Sequence, residues 1–250
     1  MVNLKPTKQF AKAKLILCGG GSGKQNYYAN QKLNEIIDHH KPLLYIPLAM
    51  DEITHPYDSC YEWIKKELSQ VDLVGIDMVR SFEELAKKQF DSYAALFIGG
   101  GNTYKLLKGI KDNGIFPKIE SYLSEGGIIL GSSAGATIFG YDINVLSLMD
   151  PNDVGLDDTT GFNVLGGVSI FPHYTNNKLE LSIDENRNRH RNFTNAIIDY
   201  SRAIGDVIAI PEEDAIFIDN EKTEILGTRP YFYFKEGQSQ EIQPSKMYQN

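Results

Sequence analysis

Short apolar runs alternate with helix-periodic stripes through the first 140 residues, and most runs stop at glycine or a polar turn. Residues 15–18 (Leu-Ile-Leu-Cys) form a buried-type strand that ends in glycines, and Ala29, Leu33, Ile36 and Ile37 then recur at helical spacing. Residues 43–48, 74–79 and 94–98 are further strands. Between them lie amphipathic segments at 60–68, with Trp63, Ile64 and Leu68, and at 82–90, where Ser81 and Glu84 match a capping box. A helix over 102–111 follows the last of these strands. This order predicts an α/β fold: a mostly parallel sheet sandwiched by helices, with any site at the strands' carboxyl ends.

The second half has another rhythm. A strand at 168–171 runs into Pro172-His173-Tyr174-Thr175-Asn176, and 182–200 carries a helical stripe of Phe193, Ala196, Ile197 and Tyr200. Short strands at 207–210, 215–218, 223–226 and 231–234 predict a C-terminal antiparallel strand meander that finishes or flanks the sheet. No repeat or Pro/Ser-rich linker interrupts the chain, so residues 1–250 are expected to form a single domain. The polar end, 238–250, is expected to be a loose tail.

Bulk properties exclude several classes. A formal charge of −8 with no basic stripe argues against a nucleic-acid partner. Only Cys18 and Cys60 are present, which gives neither a disulfide framework nor metal-ligand spacing, so no metal and no cofactor are expected. Nothing approaches the ~18 apolar residues of a membrane span. The lysine-bearing N-terminus lacks the apolar core of a signal peptide, and a cytoplasmic setting is the expectation. No exposed apolar helix face stands out, so the oligomeric state is not legible.

The chemistry concentrates at residues 128–137, Ile-Ile-Leu-Gly-Ser-Ser-Ala-Gly-Ala-Thr. An apolar run turns through small residues into a helix start, and Gly131, Ser133 and Gly135 have the G-x-S-x-G spacing of a nucleophile elbow. Ser133 is therefore the candidate nucleophile. A serine hydroxyl needs a base within hydrogen-bond reach. Of five histidines, His39 and His40 close a helix, His55 precedes Pro56 in a turn, and His190 sits among Arg187, Arg189 and Arg191. His173 follows a strand and falls on the same sheet edge as Ser133, which makes it the candidate base. Glu212, just after the strand ending Ile210-Pro211, ranks first as its orienting carboxylate, with Asp150 in reserve. The Ala134 amide and that of Gly100 or Gly101 are the candidate oxyanion donors. Residues 19–24, Gly-Gly-Gly-Ser-Gly-Lys, suggest a phosphate loop, but Cys18 and Gln25 break the Walker spacing. That stretch reads as a turn over the first strand, at the rim of a pocket.

Four ordered segments resemble the S51 family of serine peptidases, which includes peptidase E-type aspartyl dipeptidases and, more distantly, cyanophycinases. They are Gly99-Gly100-Gly101-Asn102-Thr103, Gly131-Ser132-Ser133-Ala134-Gly135-Ala136, Pro172-His173-Tyr174-Thr175-Asn176 and Ile210-Pro211-Glu212. The resemblance implies a fold related to class I glutamine amidotransferases and a Ser133–His173–Glu212 triad. It also implies a small peptide substrate, most simply a dipeptide with N-terminal aspartate, with Asn102, Thr175 and Arg187 on the substrate side. Arg187 lies fourteen residues after His173, where such enzymes carry a substrate-side arginine. Arginine suits the task because its guanidinium can grip a carboxylate with two parallel hydrogen bonds.

The chain departs from the family pattern in two places. Leu148 stands where some members carry an aspartate, so that either Asp142 or Asp150 takes that role at changed spacing or the role is absent, and the segment 150–167 is long. Two rivals stay open: a cyanophycinase-like hydrolase of aspartyl-arginine material, and a non-catalytic small-ligand-binding protein on the same fold. A glutamine amidotransferase is disfavoured, because serine occupies the elbow where that chemistry needs a cysteine thiolate.

Overall fold

The computed structural model describes residues 4–220 and 222–244. The first half alternates as expected: β1 (Lys14–Cys18), α1 (Tyr27–Ile36), β2 (Leu43–Ile46), α2 (Tyr57–Glu67), β3 (Ile76–Met78), α3 (Phe82–Lys87), β4 (Leu96–Ile98), α4 (Thr103–Asp112), α5 (Ile115–Ser124), β5 (Ile128–Ser132) and the one-turn α6 (Ala134–Thr137). Then follow β6 (Val168–Phe171), α7 (Ile183–Ala203), β7 (Asp206–Ala209), β8 (Ala215–Asp219), β9 (Lys222–Leu226), β10 (Tyr231–Lys235) and β11 (Gln238–Ile242).

The main sheet has seven strands in the order β3-β2-β4-β5-β1-β8-β9. The first five are parallel, and β8 and β9 add antiparallel at one side. Successive strand residues point to opposite faces, and here both faces are covered. Leu15, Leu17, Leu44, Ile46, Leu96 and Ile98 join one buried cluster, whereas Ile16, Cys18, Leu43, Tyr45, Phe97 and Leu130 join another. That two-sided burial explains why these strands are nearly all apolar instead of alternating. Ser81 caps α3 by accepting from the Glu84 amide, as the sequence pattern predicts.

A second, four-stranded sheet runs β11-β10-β7-β6. The C-terminal meander therefore divides: β8 and β9 finish the main sheet, while β7, β10 and β11 pair beside β6. Helix α7 packs Phe193, Ile197 and Tyr200 onto this sheet against Phe171, Tyr174, Val207 and Phe234. Its N-terminus is a full capping box between Ser182 and Glu185.

Two expectations change. Helix α5 was not anticipated, although Ile115, Ile119 and Leu123 recur every four residues on its buried face; Pro117 falls in the first turn, where proline is tolerated. The loose end expected from residue 238 is overturned for Gln238–Ile242, which pairs along all of β10. Glu236 (φ 51°) and Gly237 (φ 79°) both take the left-handed backbone of a tight hairpin turn, so β11 is held by backbone pairing despite its polar side chains. Residues 245–250, the rest of that expected tail, lie outside the described residues. Among the described residues, no helix is long and apolar enough to cross a membrane.

Candidate active site

Strand β5 ends at Ser132, and the next residue turns the chain into α6. Ser133 takes φ 52° and ψ −113°, a backbone region that costs a non-glycine residue energy and that surrounding packing must enforce. The close packing is visible at Gly135, where an added Cβ would lie 2.1 Å from the Ile98 carbonyl oxygen. The Ser133 amide donates to the Cys18 carbonyl (3.1 Å), fixing the corner to the end of β1.

His173 follows β6 with φ 54°. Its Nε2 is 2.8 Å from Ser133 Oγ, and its Nδ1 is 2.7 Å from Glu212 Oε1. Glu212 stands three residues beyond β7. Its pKa lies below the usual carboxylate range, chiefly through the hydrogen bond from His173, with burial acting in opposition. An ionised carboxylate only accepts, so His173 Nδ1 donates to Glu212, the tautomer in which Nε2 is the atom that can accept from the serine hydroxyl. Such a relay can draw the hydroxyl proton away as the oxygen attacks a carbonyl, then return it to the departing nitrogen.

The glycine run after β1 builds this relay. A Cβ on Gly20, whose φ is +123°, would lie 2.2 Å from His173 Cε1 and 2.6 Å from Nδ1, so the imidazole occupies the space a side chain would need. The Gly19 carbonyl accepts from the His173 amide (2.8 Å), while the Gly19 amide donates to the Asp214 carbonyl (2.9 Å). Gln25, the residue that breaks the Walker pattern, donates from Nε2 to Glu212 Oε2 at 3.0 Å. Asn176 Oδ1 accepts from the Glu212 amide at 2.8 Å. Neither side chain was singled out as part of the site from sequence, and each belongs to it through a contact distant along the chain.

The two oxyanion glycines separate. A Cβ on Gly100 would lie 3.2 Å from Ser133 Cβ and 3.7 Å from Oγ, so Gly100 abuts the serine. Gly101 backs onto Ala49, where the same test gives 2.4 Å. Ala134 is the first residue of α6, where an amide has no partner within the helix.

Other expected site residues lie elsewhere. Asp150 Oδ2 accepts from the Thr103 amide (2.8 Å) and hydroxyl (2.6 Å), so it serves the start of α4 and is not the orienting acid of His173. Asp142, the other candidate for the aspartate that Leu148 replaces, accepts from the Asn144 amide and the Tyr200 hydroxyl. Asn102 caps α4 by accepting from the Lys105 amide and donates to the Pro151 carbonyl, which engages both ends of its amide in structure. Thr175 and Arg187 share a polar cleft of about 250 Å³ with Asn176, Arg189 and His190. Arg187 is 65% exposed and paired with Asp184 at 2.8 Å, whereas Arg189 is more buried and donates to the Asn176 carbonyl. His190 lines this cleft from the exposed face of α7, its ring tilted 4.9 Å from that of Tyr174.

One buried acid stands behind the relay. Asp214 is 2% exposed, its Oδ1 accepts from the Arg229 amide, and its Oδ2 has no partner among the described residues. Burial pushes its pKa up to about 7. Between about pH 4 and pH 7 the native state keeps a proton that the unfolded chain has released, so stability falls as pH rises through that window. Asp214→Asn is expected to remove this part of the slope and to raise Tm by several degrees above pH 7. Thermal melts of both proteins from pH 4 to pH 8 check it; parallel curves would show that the carboxyl is ionised in the fold.

A family model described as peptidase family S51 matches residues 15–226. The chain belongs to peptidase family S51. It is 26% identical to the peptidase E of Shewanella denitrificans over 233 residues, covering 91% of this chain and 93% of that one. It is also 26% identical to the peptidase E of Pasteurella multocida, covering 78% and 79%. Two solved structures share the fold. One, from Listeria monocytogenes EGD-e, has a TM-score of 0.66 at 21% identity and covers 87% of this chain and 99% of its own. The other, a peptidase from an acI-B1 Actinobacterium, has a TM-score of 0.60 at 18% identity and covers 98% and 97%. This S51 member is a serine-type peptidase acting on peptide substrates. Among its described residues, no group of three or more His, Cys, Asp and Glu side chains could hold a metal ion.

Proposed function

We propose that this peptidase hydrolyses short peptides, dipeptides with N-terminal aspartate above all, through an acyl-enzyme on Ser133. His173 removes the hydroxyl proton and passes it to the departing amine, then activates the water that releases the acyl group. Glu212 holds the imidazole in its Nδ1-protonated form. The amides of Gly100 and Ala134 receive the oxyanion. The observation that supports this reading is the unbroken pair of hydrogen bonds, 2.8 and 2.7 Å, from a strained elbow serine through His173 to Glu212. The aspartate preference rests on the relatives called peptidase E and on the cleft that holds Arg187 and Arg189 together with Thr175, two residues after His173 in the chain. To grip an aspartate carboxylate, Arg187 exchanges Asp184 for the substrate, an exchange its exposure permits.

A fluorophosphonate probe followed by peptide mapping tests the chemistry: one adduct is expected, on Ser133, and an unlabelled protein overturns the reading. A dipeptide panel tests the substrate. Asp-Leu should exceed Ala-Leu and Glu-Leu in kcat/KM, and Arg187→Ala should raise KM for Asp-Leu with less change in kcat. Equal hydrolysis of Ala-Leu removes the aspartate assignment and leaves the triad standing.

A further inference from the structure

Gly100 faces two ways. On one side it abuts Ser133. On the other it forms part of the wall of a cleft of about 420 Å³. The rest of that wall is mainly apolar and comes from β2, the loop after it and α2: Tyr45, Met50, Pro56, Cys60 and Trp63, with His55 among the few polar groups. A volume of this order and a mostly apolar lining with few polar groups are what small-ligand sites present. Trp63 remains 37% exposed on the wall, its ring tilted 6.5 Å from Phe97, so this large apolar surface faces solvent in the free protein.

We infer that this cleft seats a large apolar side chain on the leaving residue of the peptide. The inference rests on the acyl-enzyme reading and adds the identity of the second subsite. Two cavities reach residues next to the relay, one through Gly100, which abuts Ser133, and one through Thr175 and Asn176, which closely follow His173 in the chain, and they differ in character. The cleft beyond His173 carries Arg187, Arg189, Asn176 and His190, whereas the one beyond Gly100 carries hydrocarbon, sulfur and aromatic rings. With the scissile carbonyl on Ser133 Oγ and its oxygen on the Gly100 amide, the two halves of a dipeptide diverge to either side. An acidic acyl residue keeps its side-chain charge on the arginine side, where Arg187 and Arg189 offer guanidinium groups to a carboxylate, whereas no Arg or Lys lines the other cleft. The leaving residue then enters the apolar cleft. There its side chain covers Trp63 and Met50, and its terminal carboxylate comes near His55, Thr54 and Ser59 at the polar part of the wall.

The test is a grid of dipeptides with Asp or Ala first and Gly, Ala, Leu or Phe second, assayed on the intact protein. Phe and Leu in the second position should exceed Gly in kcat/KM by at least about tenfold, whichever residue is first. Cys60→Phe, which fills the cleft, should bring the Phe-to-Gly ratio down to about one, and Trp63→Ala, which removes one wall, should lower it several-fold. Fluorophosphonate labelling of Ser133 reports whether each variant is folded, and Trp63→Ala decides the matter if Cys60→Phe does not fold. Hydrolysis with no preference in the second position, or a preference that both variants leave intact, overturns this inference while the acyl-enzyme reading stands. A large-apolar preference in the first position instead overturns the assignment to the leaving side. A native protein that neither labels nor hydrolyses any member of the grid overturns both.

Discussion

Ser133→Ala is expected to lower kcat by roughly 10⁶-fold, with His173→Ala costing about the same and the double variant scarcely more. The lack of additivity follows from the geometry. Ser133 and His173 share one hydrogen bond of 2.8 Å, so removing either ends the same proton transfer. Glu212→Gln should cost less, roughly 10³–10⁴-fold, because the serine and imidazole remain but the amide can donate where the carboxylate only accepts. A glutamine NH₂ opposite Nδ1 would favour the tautomer that carries its proton on Nε2, leaving nothing to accept from Ser133. Single-turnover hydrolysis of Asp-Leu by the four variants checks the ranking. Independent, additive losses at Ser133 and His173 would mean that they do not act as one unit.

The second large effect is expected from a residue with no functional group. Gly20→Ala places a methyl within about 2–3 Å of His173 Cε1, Nδ1 and Nε2, and asks a non-glycine residue to hold φ +123°. The imidazole has to move by about an ångström or more, and a displacement of that size is worth roughly 10² in rate. Losing the 2.7 Å contact to Glu212 as well adds to that, so kcat should fall by roughly 10²–10³-fold. Activity and a thermal melt measured together give the answer. A folded Gly20→Ala protein with near-native kcat would show that the imidazole has room to yield without losing its partners.

The contrast between these two sets of residues shows what could be read from the chain alone. Ser133, His173 and Glu212 could be singled out because each follows an apolar run, but the single sheet edge expected to gather them is in fact two: Ser133 follows β5 of the main sheet, whereas His173 and Glu212 follow β6 and β7 of the other. Alternation of apolar runs and helical stripes likewise gave the parallel strands of the main sheet and the stripe of α7. Gly20, Gln25 and Asn176 were not legible as site residues. Gln25 meets Glu212 across 187 positions of chain, and a glycine's purpose at residue 20 is defined by a ring that arrives from residue 173. Asp150 stays only a reserve in the sequence for the same reason: an acid in a long loop has many possible partners, and its Thr103 contact spans 47 residues. Strand β11 escaped because its edge position leaves Gln238, Ser239, Gln240 and Glu241 exposed, which erases the apolar signal while backbone pairing holds it.

The division of the strands into two sheets has a consequence for how the enzyme fails. Ser133 and the turn of Gly19 and Gly20 follow β5 and β1 of one sheet, whereas His173 and Glu212 follow β6 and β7 of the other. On the proposed relay, turnover is thus a gauge of the registry between two slabs, joined at Gly19, whose carbonyl accepts from the His173 amide. A slip of an ångström along that seam would silence turnover with both slabs still folded, so mild denaturant or heat should disarm the protein before it melts.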